Sequence, residues 1–68
     1  MYYQYTLTHE KTVRVGWVET SGQLPPGTTL TLKGDDRIWT VEHVAQIAAT
    51  QPPDTSWQVG GIQGRLRL

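Results

Sequence analysis

"KGDDRIWTVEHV", residues 33–44, decides how the rest of the chain is read. Gly34, Asp35 and Asp36 separate a threonine/leucine run from a tryptophan/valine run. Gly and Asp are the residues that a tight hairpin connection selects, so the acidic pair reads as turn chemistry. The flanks "TTLTLK" (28–33) and "RIWTV" (37–41) then read as two strands. Trp39 and Val41 share a face of the second, but Val44 is out of phase with them. Two readings of the continuation stay open. A bulge near Glu42–His43 would restore the register and bend the strand, as a small barrel requires. Alternatively, Val41, Val44, Ala45 and Ala48 fit helical spacing behind a Thr40 cap, giving one short helix around 41–49.

Period-two patterning extends upstream. In "YYQYTLT" (2–8), Tyr3, Tyr5 and Leu7 fall on one face. In "TVRVGWVE" (12–19), Val13, Val15 and Trp17 share a face, with Arg14, Gly16 and Val18 on the other. His9 to Lys11 is the short polar break of a hairpin. Periodicity assigns Trp17 and Trp39 to the core and turns Arg14 outward. The loop "TSGQLPPG" (20–27) cannot hold a central strand, because its two prolines lack amide donors. "TQPPDTS" (50–56) breaks the chain again, and "WQVGGIQGRLRL" (57–68) reads as a last strand with Arg65 and Arg67 outward. Leu66 and Leu68 on its opposite face would close the barrel. The fold class is therefore all-β: a single domain over 1–68, a small, strongly bent antiparallel five-stranded SH3-like barrel.

Composition narrows the function. The chain has 68 residues, six basic and six acidic side chains, and no cysteine. Neutral charge argues against a strongly electrostatic nucleic-acid binder. No apolar run approaches the roughly 20 residues of a membrane span, and the N-terminal stretch lacks the basic flank and apolar core of a signal peptide. Without cysteine there is no disulfide or thiolate metal site, which favours a cytoplasmic setting.

No catalytic constellation assembles. The only histidines are His9, in a turn, and His43, beside the bulge. Nothing in the spacing joins His43 to Asp35 and Asp36, and the set lacks a metal site's ligand count. "VGGIQG" (59–64) lacks the lysine of a phosphate loop. No enzyme activity, metal or cofactor is expected.

Gly16, Trp17, Gly27, Leu30, Leu32, Lys33, Trp39, Val41 and Val44 form a "GW" strand, a G-x-x-L-x-L-K strand, a polar turn and a W-x-V-x-x-V strand. Over about half the chain this resembles short uncharacterised bacteriophage-encoded proteins. The resemblance implies a phage or prophage origin, hence the cytoplasm of a host cell, and no enzymatic role. The function expected is that of a small non-enzymatic binding module, a phage accessory protein docking on a host or virion protein. Trp57, which either seals the barrel or stands partly exposed, and Tyr2, out of phase with Tyr3 and Tyr5, are its candidate contacts. The alternative is a small-barrel nucleic-acid binder using Arg14, Arg65 and Arg67 as a modest basic stripe, since first and last strands often adjoin in small barrels. The expected partner is another protein rather than nucleic acid or membrane, and the expected state a monomer.

Overall fold

Alternating β-branched and aromatic residues carry the chain into five strands. The structure, a computed structural model, describes residues 1–65. Its strands are β1 (Tyr2–His9), β2 (Thr12–Glu19), β3 (Thr28–Leu32), β4 (Ile38–Ala49) and β5 (Ser56–Arg65). They close a barrel in the order β1-β2-β5-β3-β4, and β4 returns to β1. The architecture fits an SH3-like small barrel. Two details differ from expectation. The β2–β5 seam is parallel, pairing Trp17 with Ser56, Val18 with Trp57 and Glu19 with Gln58. And β1 lies between β2 and β4, not beside the last strand. Arg67, Leu66 and Leu68 lie outside the described residues.

The stretch 41–49 is strand, so the short-helix reading is corrected. Thr6 pairs with His43 and Leu7 with Val41, which leaves Glu42 as an extra residue on β4. A second shift, between the Tyr3–Ala48 and Tyr5–Val44 pairs, lengthens β4 again relative to β1. These bulges bend β4 around the barrel, and Val44 turns back to pack against the core that already holds Val41. A helix there would have left the β4-facing amides and carbonyls of β1 without partners, a cost that outweighs helix propensity.

The β1–β2 hairpin overturns the expected phase of β2. Its connection is two residues, Glu10 and Lys11, and His9 pairs with Thr12. That register sets Leu7 opposite Arg14 and Tyr5 opposite Gly16. Residues directly opposite share a face of the sheet, so Arg14, Gly16 and Val18 point inward with Leu7 and Tyr5. Val13 and Val15 are exposed and Trp17 is only half-buried, on the outer face. Arg14 does not point outward.

Trp39, Tyr5, Leu7, Leu30, Leu32, Val18 and Val41 form the core. The buried Tyr5 hydroxyl is satisfied in both directions. Thr20 Oγ1 donates to the Gly22 carbonyl (2.8 Å), so it accepts from Tyr5 Oη at 3.0 Å, and Tyr5 Oη accepts from the Leu24 amide at 3.1 Å. This pair fastens the proline loop to the barrel wall.

Two stability predictions follow from this packing. Trp39→Ala should cost about 3–5 kcal/mol in urea denaturation, because the ring is fully buried and the closed sheet cannot collapse around the void. Glu10 holds a φ of 54°, a left-handed conformation unfavourable for a side chain of this kind. Glu10→Gly should therefore raise stability by about 1 kcal/mol. A fall instead would mean that the glutamate makes a compensating interaction in solution.

Candidate binding surfaces

Two surfaces concentrate chemistry, and both follow from the phase of β2. The first is a charged plug at one end of the barrel. Arg14, projecting inward, lays its guanidinium over the ring of Trp39 (5.0 Å to the centroid) and over that of Trp57 (5.2 Å). Arg37 covers Trp39 as well, at 4.7 Å, and the His9 ring leans on it at 5.7 Å. Cations over indole faces gain from the ring quadrupole while their heads stay wet. Trp39 is thus sealed by polar groups rather than by further apolar side chains.

Asp35 anchors the plug. The β3–β4 turn closes with the Asp35 amide donating to the Leu32 carbonyl at 2.9 Å, and Gly34 sits at φ 84°, the geometry of a type II turn. The Asp35 carboxylate then accepts from the Arg37 amide (2.9 Å), from Arg37 Nε (3.0 Å) and from Arg37 Nη2 (2.9 Å). Trp39 Nε1 donates to it at 3.4 Å, and Arg14 Nη1 lies 3.9 Å away. The bonds from Arg37 hold the Asp35 carboxyl well below the usual carboxylate range, so it stays ionised. Gly16 completes the arrangement. A Cβ there would come within 2.7 Å of the Trp57 ring, so only glycine lets that indole lie across β2.

The second surface is the outer face of the β1–β2 hairpin. Cross-strand pairs Thr8–Val13, Thr6–Val15, Gln4–Trp17 and Tyr2–Glu19 line it in order. Val13 is 62% exposed and Val15 59%, and Trp17 and Tyr2 are half-buried. Glu19 is the sole charge in these pairs, at one end of the row. Partial burial first, and the Glu19 carboxylate second, raise the pKa of the Tyr2 phenol, which therefore stays neutral.

The residues singled out from sequence are distributed differently from expectation. Tyr2 belongs to the outer face. Trp57 is half-buried and packs against the core, sealing the barrel end with Arg14. Arg14 precedes the β2–β5 seam, whereas Arg65 pairs with Thr28 at the far end of β5, so these two do not form one stripe. Arg67 falls outside the described residues. Asp35 is engaged by Arg37, and His43 stands exposed opposite Thr6, so no site joins them. Among the described residues no group of three or more His, Asp or Glu side chains could hold a metal ion, and no helix is long and apolar enough to cross a membrane. Val13, Val15 and Trp17 were missed as surface residues. The two-residue turn was the signal, because it fixes which residues of the two strands share a face.

The Asp35 geometry predicts a pH dependence. Its folded-state pKa is depressed, so its contribution to stability is present above the unfolded value of about 3.9 and is lost as pH falls below it. Asp35→Asn should therefore melt at a lower temperature than wild type at pH 7, with the gap narrowing as pH falls from about 4 toward 2. A constant gap across that window would show that the carboxylate charge is not what the turn needs.

No family model, no curated protein and no solved structure matches this chain.

Proposed function

We propose that this barrel is a small non-enzymatic protein-binding module, and that it serves as a phage accessory protein docking on a host or virion protein. The phage assignment rests on the sequence resemblance. The binding reading rests on one observation: the outer face of β1–β2 presents Val13 and Val15 to solvent in line with Trp17 and Tyr2. Ile38, Ile47 and Ile62 are exposed too, but Val13 and Val15 are the pair that alternate along one strand beside a half-buried tryptophan. Apolar rows with aromatic anchors are what protein interfaces bury at their centres.

The nucleic-acid alternative loses its main support. The residues of the expected basic stripe do not lie together: Arg14 turns inward over Trp39 and Trp57, and Arg65 pairs with Thr28 at the other end of β5.

Val15→Glu is the direct test, since an exposed strand position tolerates it at a cost of no more than about 1 kcal/mol. Immobilised wild-type chain should retain a protein from host extract in both low and high salt. The folded variant should retain at least tenfold less, a loss of about 1.4 kcal/mol in binding. Equal retention by the variant would move the interface elsewhere. Retention that vanished on nuclease treatment, or fell steeply with salt, would favour the nucleic-acid alternative.

A further inference from the structure

The barrel wall is incomplete beside β2. On one side β2 pairs with β1 along its whole length; on the other it meets β5 only from Trp17 to Glu19. The two-residue turn makes His9–Thr12 a hydrogen-bonded pair, and such pairs alternate along an antiparallel ladder. Thr12, Arg14 and Gly16 therefore spend their backbone groups on β1. Val13 and Val15 aim theirs the other way, toward the side that β5 does not reach. Among the described residues, no backbone or side-chain group bonds to the amide or carbonyl of either valine across that gap. Two donors and two acceptors stand there in strand geometry, flanked by the exposed Val13 and Val15 side chains.

We propose that the Val13–Val15 edge of β2 takes up an extended strand from a partner protein, antiparallel to β2, with apolar residues opposite Val13 and Val15 and an acidic residue opposite Arg14. The proposal rests on the binding-module reading and specifies its mode. An added strand is held by main-chain bonds, with alternate side chains giving specificity. Here the outer alternates meet the valine row. The inner residue meets Arg14, whose side chain remains 35% exposed and whose nearest carboxylate oxygen, on Asp35, is 3.9 Å away. Charge also selects between a foreign strand and a second copy. A symmetric β2–β2 pairing that used all four edge groups would centre its two-fold axis on Arg14. Each Arg14 would then face its mate in a non-hydrogen-bonded pair, with Cα atoms about 4.5 Å apart, and like charges so placed repel.

Amide-resolved NMR titration of the full chain with a capped peptide, Thr-Val-Glu-Val-Thr, tests this. The Val13 and Val15 amide signals should shift and saturate at millimolar peptide, while those of Tyr5 and Leu7 stay in place. Replacing the peptide's Glu by Lys should weaken binding about tenfold. N-methylating the two peptide amides that face β2 should abolish it without altering the protein. Val13→Pro should weaken it at least tenfold, because that residue's amide points away from β1 and an edge strand tolerates proline there. Equal binding of the Glu, Lys and N-methylated peptides would overturn the proposal. So would the absence of any shift, or concentration-dependent protection of the Val13 and Val15 amides without peptide, which would identify a second copy as the occupant. Should the peptide fail while Val15→Glu still abolishes capture of a host protein, the module reading stands and only strand addition falls.

Discussion

The two-residue connection between β1 and β2 fixes the face on which every residue of both strands lies. With Glu10 and Lys11 alone in the turn, Leu7 must oppose Arg14 and Thr8 must oppose Val13. One more residue in that turn would move the whole β2 set to the other side of the sheet. Arg14 would then stand in solvent, Val13 and Val15 would enter the barrel, and Trp57 would lose the glycine that it lies across. Both candidate surfaces therefore depend on this register. The strained Glu10 conformation shows that register outranks local preference at that turn.

Closing the barrel poses a supply problem that the charged plug resolves. Small domains bury a modest share of their surface, and this one has no phenylalanine and one methionine with which to extend its core. Indole rings capped by guanidinium groups extend the apolar interior while the cationic heads stay wet. Asp35 makes the cap rigid: its bonds to Arg37 hold one cation over Trp39, while the other, Arg14, stands 3.9 Å from the same carboxylate. The turn that reads as a simple hinge is thus also the fastening of the barrel end. Asp35 and Asp36 part company here, since Asp36 is exposed and Asp35 carries the network.

Much of this was legible in the residues, and the limits have physical causes. The five strands follow from alternation and from Gly and Pro punctuation. The β4 bend follows from Val44 falling out of phase with Trp39 and Val41, because a closed sheet can absorb an extra residue only as a bulge. β2 defeated the same reasoning. It carries valines and a tryptophan on one face and an arginine, a glycine and a valine on the other, so hydrophobicity alone points the wrong way. Only pairing with β1 resolves it, and pairing is set by turn length rather than by pattern. The plug was hidden for a related reason. Its members come from β1, β2, β4, β5 and the β3–β4 turn, and strand order brings them together in a way that no local spacing records.

The short β2–β5 seam follows from the offset of two parallel strands. They meet only where the end of β2 overlaps the start of β5, so the part of β2 before Trp17 lies beside the chain upstream of Ser56, where β5 has not yet begun. The first half of β2 is left with an open edge, a hazard because edges template association with other strands. Natural sheets blunt such edges with an inward-pointing charge, and Arg14 is one. It permits the edge to remain solvated, where unpaired amides bond to water at little cost, and it penalises a second copy through charge repulsion. A strand that brings a carboxylate opposite Arg14 escapes that penalty. The residue that caps the core on one side thereby sets, on the other, the terms on which the open edge can be filled.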